Sequence, residues 1–105
     1  MSIFFPSVPP DKEEKLFEKT AGYFAVLADP SRLLILHCLC QSKGELSVGQ
    51  IVSMTKLSQP NVSRHLNRLA ILGFASRRRF RNQVYYKLVD PTIEELCSLV
   101  CNHVS

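Results

Sequence analysis

The sequence predicts a single, mostly helical domain carrying one β-hairpin. Three observations lead there. First, 105 residues with 46% hydrophobic positions suffice for one core and not for two. Second, several stretches combine helical apolar periodicity with capping residues at their starts. Third, one stretch in the C-terminal half alternates as paired strands do. With only four glycines and no run of eighteen uninterrupted apolar residues, collagen-like, low-complexity and membrane-spanning chains are excluded.

Residues 1–10, with Pro6, Pro9 and Pro10, cannot hold a helix and read as a flexible N-terminal arm ahead of a domain over 11–105. No basic residue precedes Phe4 and Phe5 and no small-residue cleavage site follows, so no secretory signal is read and a cytoplasmic location is expected. Asp11 caps the first helix, DKEEKLFEKTAGYFAVLA, whose acids Asp11, Glu13 and Glu14 suit the positive end of the helix dipole. Leu16, Phe17, Phe24 and Leu27 form its apolar side, and Gly22 weakens its middle.

Asp29 and Pro30 are N-cap and first residue of a second helix, PSRLLILHCLCQ, apolar on every side and therefore expected to be buried. After the turn SKGE comes LSVGQIVSMTK, then SQPNVSRHLNRLAILG. In the latter Ser58 is an N-cap, Pro60 is tolerated in the first turn, and Gly73 is a stop. At 100° per residue Val62, Leu66 and Leu69 share a narrow arc, with Arg64 and Asn67 opposite and Asn61, Ser63 and Arg68 beside them. FASRRRF and QVYYKLV alternate as strands around Arg81 and Asn82, with Asn82 the better candidate for a positive φ. Asp90 and Pro91 open the last helix, where Ile93, Leu96, Cys97, Val100 and Val104 make an apolar stripe too long for one small domain to hide.

The net charge of +4 conceals a segregation. From Lys56 to Val89 there are eight basic residues and no Asp or Glu, so all nine acids lie in the flanks. Such a block suits a polyanion, most commonly a phosphate backbone. Two short helices, the second with a polar outward face, followed by an arginine-studded hairpin, make a winged helix-turn-helix. A helix fits the major groove, its amides and guanidiniums pair with base edges, and the hairpin can straddle the adjacent backbone. Gln59, Asn61, Ser63, Arg64, Asn67 and Arg68 are the candidate contacts on the helix, and Arg77, Arg78, Arg79, Arg81 and Asn82 form the wing. Double-stranded DNA is the expected partner, with a protein- or RNA-binding module as the alternative of another class. No nucleophile with a nearby base, glycine-rich phosphate loop or paired carboxylates stands out, so an enzyme is not expected.

The segments LADPSRLLIL, ELSVGQI, LSQPNVSRHLNRLAILGF and RNQVYYKL, occurring in that order across residues 24 to 90, resemble the arsenic-repressor (ArsR/SmtB) family of bacterial metal and thiol sensors. The resemblance implies a homodimeric winged-helix repressor that pairs through its first and last helices and leaves its operator when an inducer binds cysteines or histidines. Departures narrow the inducer. Members that sense arsenic on the third helix read ELCVCDL, whereas Ser47 and Gly49 occupy the two thiolate positions here. Zinc-sensing members carry an Asp and a His two apart on the last helix with further histidines; here Thr92 follows Asp90, and His103 is the only later imidazole. The wing also lacks the glycine usual at its tip.

The four cysteines read as reduced thiols rather than a disulfide framework. Cys38 and Cys40 lie about 160° apart on their helix and cannot share an ion or a disulfide. Cys40 suits a small apolar filler, and His37 a hydrogen-bonded core position. Cys97 and Cys101, at i and i+4, can chelate arsenite or another thiophilic ion, with Cys38 as third participant. Packing in a dimer accounts for the same pair equally well. The resemblance also implies an alternative, an oxidant or reactive-sulfur sensor that links a second-helix thiol to one on the last helix. His65 reads as structural.

Overall fold

The structure, a computed structural model, describes residues 10–105. Its elements are α1 (Pro10–Leu27), α2 (Pro30–Ser42), β1 (Leu46–Ser47), α3 (Val48–Thr55), α4 (Gln59–Ile71), β2 (Ala75–Phe80), β3 (Gln83–Leu88) and α5 (Pro91–Val104). The arm expected over residues 1–10 lies outside the described residues except for Pro10. That residue already opens α1, so Asp11 sits inside the first turn and not at the N-cap.

The helix starts follow the side-chain chemistry. Asp29 accepts the backbone N–H of Ser31 at 2.9 Å, Ser58 that of Asn61 at 3.3 Å, and Asp90 that of Thr92 at 2.9 Å. Each is followed by a proline in the first turn, where a missing N–H costs nothing. Ser47 and Gln50 cap α3 reciprocally: Gln50 N–H donates to Ser47 Oγ and Ser47 N–H to Gln50 Oε1. Ser47 is thus a buried cap at the place where the third-helix metalloid sensors carry a thiolate. At the end of α4, Gly73 adopts φ +85°. Its N–H bonds Ala70 O and the Phe74 N–H bonds Leu69 O, the paired bonds that close a helix through a left-handed residue.

Two apolar clusters meet along α2. Ile35 and Leu39 pack with Ile51, Val62, Leu66 and Tyr86, so α2, α3, α4 and the hairpin share one cluster. Leu36 packs with Val26, Leu69, Phe74 and Ile93, which fastens α1 and α5 to the opposite side. The three strands are antiparallel in the order β1-β3-β2. Among the described residues no single helix is long and apolar enough to cross a membrane.

Three expectations need correction. The second helix is not buried all round: Leu34 and His37 are exposed, because α1, α3, α4 and α5 do not close over that side. Leu46 and Ser47 form a short strand beside Tyr86 and Tyr85 and not the start of a helix, since the capping bonds delay α3 to Val48. At the hairpin tip the positive φ falls on Arg81 (59°), not on Asn82. The hairpin loop is the two residues Arg81 and Asn82 between the paired Phe80 and Gln83, and the left-handed φ that such a tight loop demands is taken by its first residue.

Candidate nucleic-acid interface

The polar face of α4 is presented because the opposite face is fully committed to the core. Val62, Leu66 and Leu69 have no exposed surface, and His65 is buried beside them. Gln59, Arg64, Asn67 and Arg68 are exposed, while Asn61 and Ser63 are half-buried. Arg64 Nη2 donates to Asn61 Oδ1 at 2.8 Å, so one turn of the helix holds a guanidinium and an amide in fixed relation.

Directly opposed residues of an antiparallel pair share a face. Arg77 lies opposite Tyr86 and Arg79 opposite Val84, whereas Arg78 lies opposite Tyr85 on the other side of the ribbon. The first face completes an open groove of about 550 Å³ in which Ser63, Arg64 and Asn67 of α4 meet Arg77, Val84 and Tyr86 of the hairpin. The Tyr86 hydroxyl accepts a bond from Arg77 Nε at 3.2 Å, which orients that guanidinium at the groove edge.

The remaining candidates are distributed otherwise. Arg78 is engaged on the far side of the wing. Its Nε bonds both Glu45 oxygens, at 2.8 and 3.1 Å, and its guanidinium lies 5.1 Å from the Tyr85 ring centre and 5.5 Å from that of Phe80. The hydrogen bond to Glu45 raises its pKa. Arg81 covers Phe80 at 5.2 Å at the tip, and Arg79 and Asn82 are exposed. Arg68 lies apart from the groove, against α1 and α2. Glu45, Tyr85 and Phe80, the supports of the wing, were not singled out from sequence. Glu45 lies 33 residues from Arg78, beyond the reach of any local spacing rule.

His65 Nε2 stands 3.8 Å from Asp29 Oδ2. Burial lowers the His65 pKa; Asp29 pulls it up, and Arg64 and Arg32 push it further down. Burial would raise the Asp29 carboxyl, but the backbone N–H groups of Arg32 and Ser31, with His65 and Arg32, hold it below its ordinary value.

Thiols gather at a second place. A cavity of about 330 Å³ between α2 and α5 is lined by His37, Cys40, Glu94, Cys97 and Cys101 among others. Cys38, expected as the third thiol, is instead buried in the first core cluster with Leu39 and Ile51. The helical twist that separates Cys38 from Cys40 turns Cys40 toward α5. Burial, then Glu94 and Cys97, push the Cys40 thiol up to about 11, and burial followed by Cys101 raises Cys97. Cys101 is exposed. Among the described residues no three His, Cys, Asp or Glu side chains are brought together as a metal-holding group.

Residues 29–77 match the profile described as bacterial regulatory protein, arsR family. The chain is 36% identical to an uncharacterised helix-turn-helix transcriptional regulator of Methanocaldococcus jannaschii, over 80% of this chain and 93% of that protein. It is 37% identical to a probable mercury resistance operon repressor of Streptomyces lividans, over 78% of this chain and 64% of that longer protein. Among solved structures, it is similar to the antimony-specific transcriptional repressor AntR, with TM-score 0.80, 25% identity and 95% of each chain covered. It is also similar to a homodimeric winged helix-turn-helix DNA-binding domain from Mycobacterium bovis, with TM-score 0.76, 27% identity, and 94% and 90% of the two chains covered.

Proposed function

The chain belongs to the arsR family of bacterial regulatory proteins, a family of transcriptional regulators and not of enzymes, and from that premise we propose how it represses and how it is released. It acts as a homodimer that lays α4 of each protomer in a major groove and sets the β2–β3 hairpin against the flanking backbone. The carrying observation is the groove in which Ser63, Arg64 and Asn67 of α4 face Arg77 of the wing, inside a stretch of the chain without a carboxylate. Base readout falls to Arg64 and Asn67, whose side chains match guanine and adenine edges. Arg79, Arg81 and Asn82 serve the backbone. Arg78, tied to Glu45, holds the wing in place and does not contact DNA.

The dimer forms through α1 and α5. Leu99, Val100 and Val104 are exposed on α5, as is Phe24 on α1, an apolar surface that a soluble monomer rarely presents. The test of the DNA reading is a salt titration of duplex binding by fluorescence anisotropy. A slope of several phosphates together with a preference for a selected palindromic duplex over random sequence supports it; indifference to duplex sequence refutes it.

For release, the donor chemistry of the α2–α5 cavity favours a thiophilic inducer such as arsenite, taken by the i, i+4 pair Cys97 and Cys101; Cys40 lines the same cavity, whereas Cys38 is buried in the core. Cys101, exposed at the rim, is the first thiol to engage the inducer. Arsenite-induced loss of DNA binding, removed by Cys97→Ser with Cys101→Ser, tests this. Full release by the double variant refutes it.

A further inference from the structure

A third cavity, sharing no lining residue with the groove or the thiol cavity, lies between α1, α2 and the C-terminal end of α4 and has a volume of about 610 Å³. That is the size of pockets that hold small organic ligands. We propose that this cleft binds a small aromatic carboxylate as an effector distinct from the thiol-directed inducer.

Charge comes first. Lys19, Arg32 and Arg68 line the cleft, against a single carboxylate, Asp90. Asp90 is already engaged: its Oδ2 accepts the Tyr23 hydroxyl at 2.6 Å and its Oδ1 the Thr92 N–H at 2.9 Å. The guanidinium of Arg32 has donor capacity to spare. Its Nε is buried without a hydrogen-bond partner, and its Nη2 makes only a 3.7 Å ion pair with Asp29. A guanidinium whose terminal nitrogens make only that long ion pair, beside two further cations, selects a carboxylate, which it can meet with charge-assisted bonds.

The rest of the lining is apolar and aromatic. Tyr23 and Phe74 meet edge to face, with ring centres 5.1 Å apart, and Val26 and Leu72 complete the wall. A flat ring attached to the carboxylate fits such surfaces better than a bare anion does.

Gly22 gives an independent reason to regard the cleft as a site. It sits in mid-helix in α1 without a positive φ, and a Cβ built on it would meet no atom within 4 Å. Neither turn geometry nor close packing in the protomer requires a glycine there, although glycine costs a helix roughly 1 kcal/mol relative to alanine. What the missing side chain does is leave the cleft open, since Gly22 lines it. At 100° per residue, Lys19, Gly22 and Val26 lie about 140–160° round the helix from the exposed Phe24, and Tyr23 about 100°. The cleft therefore faces the protomer's own body, and the outer face of α1 stays available for dimerisation. A ligand there touches α1 and the end of α4 together, which would couple its binding to the placement of the DNA-reading helix.

The experiment is a protein-observed NMR titration of the full chain with benzoate, with benzyl alcohol and inorganic phosphate in parallel. Saturable shifts of Tyr23 and Phe74 are expected with benzoate at or below about 10 mM, given the ligand's small size. Gly22→Leu, which fills the cleft from a position with open space, should weaken binding by at least about tenfold while the spectrum stays dispersed. Lys19→Ala should weaken it less, by about threefold or more. Absence of saturation, equal binding of benzyl alcohol or phosphate, or an undiminished affinity in Gly22→Leu would overturn the proposal.

Discussion

The buried imidazole of His65 on α4 stands 3.8 Å from the carboxylate of Asp29, the residue that caps α2. This contact joins the start of the central helix to the inner face of the helix that carries Arg64 and Asn67 on its other side.

It gives acid sensitivity a definite sign. The folded-state pKa of His65 is lowered, principally by burial, so on acidification the unfolded chain takes up the proton first. Stability is therefore full above about pH 6.5 and falls as the pH drops through that value toward the lower folded pKa. Asp29, also lowered, adds a second loss as the pH falls through the carboxylate range. Urea midpoints for wild type should drop between about pH 7.5 and about pH 5.5, and His65→Gln should remove most of that decline. A wild-type midpoint that is flat over this interval would contradict the assignment.

Backbone conformation predicts opposite outcomes at two helix ends. Gly73 has φ +85°, so Gly73→Ala should destabilise by about 1 kcal/mol. Lys56 ends α3 at φ 62°, so Lys56→Gly should stabilise by up to about 1 kcal/mol, there being no Cβ left to crowd the carbonyl. Denaturant unfolding measures both.

The apolar end of α5 sets the oligomeric state. Leu99, Val100 and Val104 are 69%, 53% and 73% exposed in the protomer. Val100→Asp should convert the dimer to monomer in sedimentation velocity at micromolar concentration, with helicity retained. A wild-type chain that sediments as monomer would remove the interface.

Thiol accessibility and ionisation predict an order of alkylation. Iodoacetamide at neutral pH should modify the exposed Cys101 first. Buried Cys38 and the Cys40 thiol, pushed up to about 11, should react last. Peptide mass mapping over time reads this directly, and a Cys40 that reacts before Cys101 would contradict the geometry.

Much of this architecture was legible because it is written in local chemistry. Asp29, Ser58 and Asp90, each with proline in the following turn, mark three helix starts, and Val62, Leu66 and Leu69 mark which side of α4 turns inward. Features that depend on distant partners were not legible. The strand at Leu46 and Ser47 exists because β3 runs beside it, and Arg78 is bonded to Glu45 on the side of the wing away from the groove. His37 lies on an apolar helix yet is exposed, since periodicity cannot tell which side of α2 lacks a neighbour. The exchange of Cys38 for Cys40 beside α5 has the same origin, a helix rotation that only packing fixes.

The central claim, that α4 reads bases while the wing holds the backbone, rests most directly on one comparison. Wild type, Arg64→Ala, Asn67→Ala, Arg79→Ala and Arg81→Ala would be titrated against a duplex selected from a random library and against random duplex at several salt concentrations. The α4 variants should each lose about 1–3 kcal/mol on the selected duplex and little on random sequence. The wing variants should weaken both duplexes alike and reduce the salt slope by about one phosphate. Unchanged binding in all four variants would contradict the claim.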